Sequence, residues 1–196
     1  WSETEKGLVL SSFFIGYMAA QIIGGVLADK FGGKRVLLFS LVAWSFFTVL
    51  TPIAGSASFM ALILVRIGLG VGEAPLAPAV LSLFGKWIPE NERSRAVAIF
   101  SSAAIAGTVA ALVLTGLLVS RFGWQSVFYI FGILGLLYAF VVWKSIFETP
   151  KEHPRIQESE YALLAQNITV KENVVIPWRQ ILSLPAMWAL FITFFC

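Results

Sequence analysis

Residues Gly16–Gly33 read GYMAAQIIGGVLADKFGG, and residues Gly107–Trp124 read GTVAALVLTGLLVSRFGW. At an offset of 91 residues, Gly16 falls on Gly107, Ala19 and Ala20 on Ala110 and Ala111, Gly25 on Gly116 and Leu27 on Leu118. Lys30 then falls on Arg121, Phe31 on Phe122 and Gly32 on Gly123. Apolar helices match often by composition alone, but a shared G-x-L-x-x-[KR]-F-G with Gly16, Ala19 and Ala20 also matched goes beyond that. The chain carries an internal repeat, and its meaning depends on how often the chain crosses between the two copies.

Composition supplies the crossings. Of the 196 residues, 58% are hydrophobic and 13% charged, and the mean hydropathy is +0.84, far from the roughly 45–50% apolar and 25% charged of soluble domains. This is a membrane chain. A bilayer core of about 30 Å takes roughly 20 apolar residues in a helix, and such spans run at about 7–28, 36–55, 58–83, 95–119 and 125–145, with a sixth starting near 183. The single cysteine, Cys196, excludes an intramolecular disulfide and a cysteine-based metal site. His153 stands alone, so no metal, cofactor or catalytic constellation is expected, and the chain does not read as an enzyme. The opening WSETEKG lacks the pattern of a signal peptide. Instead, Ser2 and Glu5 have the spacing of a capping box at the head of the first span.

Charge sets the orientation. Eleven of the fourteen basic residues follow the first, third and fifth spans: Lys30, Lys34 and Arg35; Lys86, Arg93 and Arg95; Lys144, Lys151, Arg155, Lys171 and Arg179. The positive-inside rule places those loops in the cytoplasm, so the net charge of +3 is a topology signal and no nucleic-acid partner is expected. The acceptor-like Asn167-Ile168-Thr169 then lies on the side where glycosylation does not occur, and reads as polar loop. The first span runs outside to inside and the fourth inside to outside, so the repeat is inverted. Inverted three-span repeats nested in a six-span half are the architecture of secondary transporters of the major facilitator type. The third span should have a counterpart about 91 residues earlier, before Trp1. The expected fold is therefore all-α: most of the N-terminal six-helix half of a major facilitator, truncated at both ends. Residues 1–145 hold helices two to six, 146–182 a cytoplasmic inter-half linker with a short amphipathic helix around 157–166, and 183–196 the start of the seventh helix.

The motifs also carry a resemblance. GVLADKFGGKRVLL, Gly25 to Leu38, resembles the superfamily's loop signature G-x-L-A-D-R-x-G-R-K-x-x-L, with Lys30 and Gly33 as departures. WSETEKGLVLSSFFIGYMAAQIIGG, RIGLGVGEA, KWIPENERSRA, GWQSVFYIFG and ETPKEHPRI together resemble the anion:cation symporter family, which includes sialin, vesicular glutamate transporters, sodium–phosphate cotransporters and bacterial sugar-acid carriers. After the glutamate come Ala74 and Pro75, as in the bacterial sugar-acid carriers, where vertebrate members have glycine.

Within the third span, RIGLGVGEAPLAPAV sets Arg66 and Glu73 seven residues apart. That is close to two turns, about 10.5 Å of rise on nearly one face. A charge at a helix centre costs about 2.5–3.5 kcal/mol on insertion scales, so such residues face a cavity or the bundle interior. Counted from an entry near residue 58, Arg66 lies roughly 12 Å deep and Glu73 roughly 22 Å, bracketing the midplane. Arginine stays charged and offers a planar fork to carboxylate or phosphate, which suits Arg66 to hold an anionic substrate or gate its access. Glutamate exists charged or neutral, with the balance set by burial and neighbouring charge, which suits Glu73 to carry a proton. The resemblance implies the same two roles for these positions. The plainer alternative is a structural ion pair joining the third span to another helix.

Tyr17 and Gln21 share a face of the first span and line the cavity, or else bond one helix to another. Gly25, Asp29, Lys30, Gly32, Lys34 and Arg35 form a solvated loop on their own terms. The superfamily match implies a cytoplasmic gate instead, with Asp29 capping a helix end across the two halves in one conformation. Gly68, Gly70 and Gly72 have no preceding strand, so a dinucleotide fingerprint fails on context and close helix approach explains them better. Pro75 and Pro78 should kink the inner part of the span. The expected activity is alternating-access symport of a small organic anion or phosphate with a proton, in a lipid bilayer. Sodium coupling, or a channel or non-transporting sensor on the same scaffold, are the alternatives.

Overall fold

The computed structural model describes residues 2–165 and 183–195, nearly all of them in or beside helices. α1 is Glu3–Phe31 and α2 Gly33–Ala57; α3 is Phe59–Glu73 and α4 Leu76–Trp87. α5 is Arg93–Phe122 and α6 Trp124–Ser145; the short α7 is Glu158–Ala165, and α8 is Pro185–Phe195. Among the described residues, five stretches are long and apolar enough to cross a membrane, with α3 and α4 together making the third. α8, of 11 residues, lies where the sixth span was expected to start, and α7 lies where the short helix near 157–166 was expected. Asn167, Ile168, Thr169, Lys171, Arg179 and Cys196 lie outside the described residues.

Local chemistry explains the ends. Ser2 accepts from the Glu5 backbone N–H while the Glu5 carboxylate accepts from the Ser2 backbone N–H, the reciprocal capping box expected from the sequence. Ser58 caps α3 by accepting from Ala61 N–H at 3.1 Å. The repeat reappears in the backbone. Gly32 and Gly123 have φ of +95° and +81°, and are the only residues with positive φ among those described. Each closes one helix and opens the next, so the offset of 91 carries the α1–α2 junction onto the α5–α6 junction residue for residue. A side chain at either position would be strained, which is why both copies keep glycine.

α3 packs along α1 and α2, and α6 along α2. Small residues allow the approach. A Cβ on Gly16 would lie 2.1 Å from the Ile67 carbonyl oxygen, and one on Gly70 2.1 Å from that of Phe13. α6 uses Gly132 and Gly135 in the same way against Val49 and Ser45. A buried apolar core gathers Ala28, Val36, Leu41, Ala79, Leu83 and Val142 from four helices at the end carrying the basic loops. α5 contributes no buried residue, and nothing lies within 4 Å of a Cβ built on Gly107 or Gly116. Through the repeat, that open face corresponds to the face of α1 that α3 covers.

Candidate functional site

The third span breaks where its charges end. Glu73 is the last residue of α3, and Ala74 and Pro75 separate it from α4. Pro75 has no N–H for the Val71 carbonyl and Pro78 none for that of Ala74, so the expected kink is a short interruption of the helix. Ser40, fully buried on α2, donates its hydroxyl to the Gly72 carbonyl at 2.5 Å and steadies the carbonyls at the break. Gly72 packs against the Ala43–Trp44 backbone and Gly24 of α1 against Pro75, so the break is held from both sides.

Arg66 and Glu73 fall two turns apart on this one helix, which places them on the same face. Both are half-buried. Among the described residues neither side chain makes a hydrogen bond or ion pair, and the Arg66 Nε is buried without a partner. A structural ion pair is therefore not what holds them within the described residues. Arg66 borders a cavity of about 290 Å³ between α1, α2, α3 and α6, walled by Val9, Thr51, Leu62, Trp124 and Phe128. The Thr51 hydroxyl is already donated to the Phe47 carbonyl at 2.9 Å, so it offers this cavity acceptor capacity only. Among the described residues, the arrangement presents one unpaired guanidinium in mostly apolar walls, with an unpaired carboxylate along the same helix face.

Tyr17 sits at the α1–α3 crossing, its backbone nitrogen 2.8 Å from a Cβ built on Gly70, with the Phe13 ring tilted against its own at 5.7 Å between centroids. Gln21, one turn on, is exposed. Neither side chain is hydrogen-bonded among the described residues, so the interhelical bond considered for them is not made there.

At the basic end, Gly25 approaches Pro78, and Asp29 is exposed and engaged in an interaction. Lys30 lies 5.5 Å from the Phe31 ring centroid and Lys34 5.2 Å from that of Phe147; Arg35 is exposed. Sequence reasoning missed Glu148, whose carboxylate accepts from Gly33 N–H at 2.9 Å and Lys34 N–H at 2.8 Å and pairs with Lys86. Its signal was the ETPKEHPRI motif, which entered there as part of the family resemblance and as the beginning of a linker, with no role given to Glu148 itself. No group of metal-ligating side chains occurs among the described residues.

Residues 1–196 match the family model described as Major Facilitator Superfamily. The chain is 46% identical to the chloroplastic ascorbate transporter of Arabidopsis thaliana, over 100% of this chain and 36% of that protein. It is 43% identical to the chloroplastic sodium-dependent phosphate transport protein 1 of the same plant, over 100% of this chain and 38% of that one. Against human sialin the identity is 35%, over 100% of this chain and 40% of sialin. The chain thus spans less than half the length of these relatives.

Proposed function

The chain belongs to the Major Facilitator Superfamily, within its anion:cation symporter branch, and on that premise we propose that it is part of a secondary active transporter for a small anion, an organic carboxylate or phosphate, working by alternating access. The superfamily consists of integral membrane transporters and not enzymes. In this reading the five spans are helices two to six of the N-terminal half, residues 146–182 link the halves, and residues from 183 begin the seventh helix. The internal repeat and the open face of α5 support that placement.

The observation that carries the proposal is the pair Arg66 and Glu73, on one helix face near the middle of a span, neither with a counter-charge among the described residues. Keeping an unpaired charge in a membrane helix is costly, and such positions mark substrate or ion paths. Arg66 takes the anion, satisfying donors the protein leaves open. Glu73 takes the coupling proton, and Tyr17 and Gln21 line the cavity for the anion with Arg66. Asp29 and the basic residues Lys30, Lys34 and Arg35 form the gate on the basic side.

Sodium coupling is the second reading, favoured by the relative named as a sodium-dependent phosphate transport protein. Uptake by the full-length protein in proteoliposomes separates the two. Phosphate, ascorbate, glutamate, sialic acid and sugar acids are offered with an imposed pH gradient, a sodium gradient or neither. Saturable uptake of at least one anion, raised by the pH gradient and showing counterflow, is the expected result. Dependence on sodium alone would select the second reading, non-saturating flux would indicate a channel, and binding without flux a sensor.

A further inference from the structure

Past Ser145 the chain returns to the basic end, where Glu148 meets three donors at once. Gly33 and Lys34, whose N–H groups it accepts, open α2. The N-cap of that helix, Gly32, has no side chain to offer. A carboxylate from 115 residues away does the work of a capping side chain and adds a negative charge at the positive end of the helix dipole. Gly32 makes room for it, since a Cβ there would lie 2.6 Å from the Glu148 carboxyl carbon. The same carboxylate pairs with Lys86, in the last turn of α4. The contacts continue along the strap: Trp87 Nε1 donates to the Phe147 carbonyl at 3.0 Å, the His153 ring stands edge-on to Trp87 and Phe147, and Pro150 is fully buried.

The repeat provides an internal comparison. Gly123–Trp124 is the counterpart of Gly32–Gly33, with the same positive φ at the same helix junction. There, among the described residues, no side chain is seen to cap α6, nothing lies within 4 Å of a Cβ on Gly123, and the residue 91 positions before Glu148 is Ala57. The fold alone therefore does not require a carboxylate at this junction. One end of the half is fastened by it and the other is not.

We propose that Glu148 is a positioning residue for the gate on the basic side. By fixing the first turn of α2 it sets Lys34 and Arg35, and through Lys86 it ties to the same point α4, which continues the span bearing Glu73. The inference rests on reading the chain as part of a carrier. It assigns Glu148 to the reorientation step and leaves anion binding to Arg66.

The test uses the full-length protein in proteoliposomes, with radiolabelled phosphate and ascorbate as probes and rates expressed per folded molecule. Glu148→Gln should lower Vmax roughly tenfold, the factor expected when a charge-assisted hydrogen bond of ordinary strength is lost from a single step, while KM stays within about twofold. Glu148→Asp should recover part of the rate. The exchange Lys86→Glu with Glu148→Lys should not restore it, because an ammonium cannot accept from the α2 N–H groups. Hydrogen exchange, which needs no substrate, should quicken in Glu148→Gln at residues 33–36 and 84–88 and stay unchanged at 123–127. An unaltered Vmax or unaltered exchange in Glu148→Gln would overturn the proposal, as would full rescue by the exchanged pair. Absence of wild-type uptake of either anion would count against the carrier reading, while hydrogen exchange would still decide the clamp.

Discussion

Gly70→Ala should damage transport through geometry alone. The added methyl would stand 2.1 Å from the Phe13 carbonyl oxygen and 2.8 Å from the Tyr17 backbone nitrogen, where real Cβ atoms essentially never come within 3.0 Å. The obstruction is backbone on another helix, so no rotamer change relieves it. α3 must move off α1 by at least about 0.9 Å, the shortfall of the 2.1 Å contact from 3.0 Å, and it takes Arg66 and Glu73 with it. Overpacking of this kind typically costs about 1–3 kcal/mol, and a displacement near 1 Å at a working site can cost about a hundredfold in rate. The expected outcome is a lower melting temperature and a fall in uptake per folded molecule of at least tenfold. Gly16→Ala, which meets the Ile67 carbonyl at the same distance, should behave alike. Gly85→Ala is the control: nothing lies within 4 Å of its Cβ, and alanine is the better helix former by about 0.8–1 kcal/mol. Fluorescence-detected melting and uptake on the same samples make the comparison. Gly70→Ala with wild-type melting and wild-type uptake would refute the close crossing of α1 and α3.

The remaining expectations concern single groups. Arg66→Lys keeps the charge but loses the planar fork, so uptake of the transported anion should fall more than tenfold, chiefly through KM; wild-type kinetics would take Arg66 out of the site. Ser40→Ala removes the only hydroxyl donated to the Gly72 carbonyl among the described residues and should cost about 1–2 kcal/mol, seen as a lowered melting temperature, with no shift meaning that the break holds itself. Asp29→Asn should slow net transport while leaving anion affinity in equilibrium binding unchanged; an unaltered rate would count against a gate.

Periodicity and spacing made the membrane class, the five spans and the repeat legible, because each depends on residues near one another in sequence or on a fixed offset. Gly32 and Gly123 show how far this reaches: the alignment paired them, and both turn out to hold the same positive φ. The prolines foretold a disturbance after Glu73 but not that α3 would stop there, since the outcome depends on Ser40 and Gly24 arriving from other helices. Arg66 and Glu73 stood out because charge is rare in such a run. Their lack of partners among the described residues could only be seen in three dimensions. Glu148 was hidden for the opposite reason. A glutamate in a polar stretch carries no local mark of capping a helix 115 residues earlier.

In the proposed cycle Glu73 carries the coupling proton while Arg66 holds the anion. Glu73→Gln keeps the size and hydrogen-bonding shape of the side chain but cannot take up and release a proton. In one proteoliposome preparation of the full-length variant, uptake driven by an imposed pH gradient is compared with counterflow, which needs no net proton movement. Gradient-driven uptake should be abolished while counterflow partly survives. Gradient-driven uptake at the wild-type rate would contradict that role for Glu73.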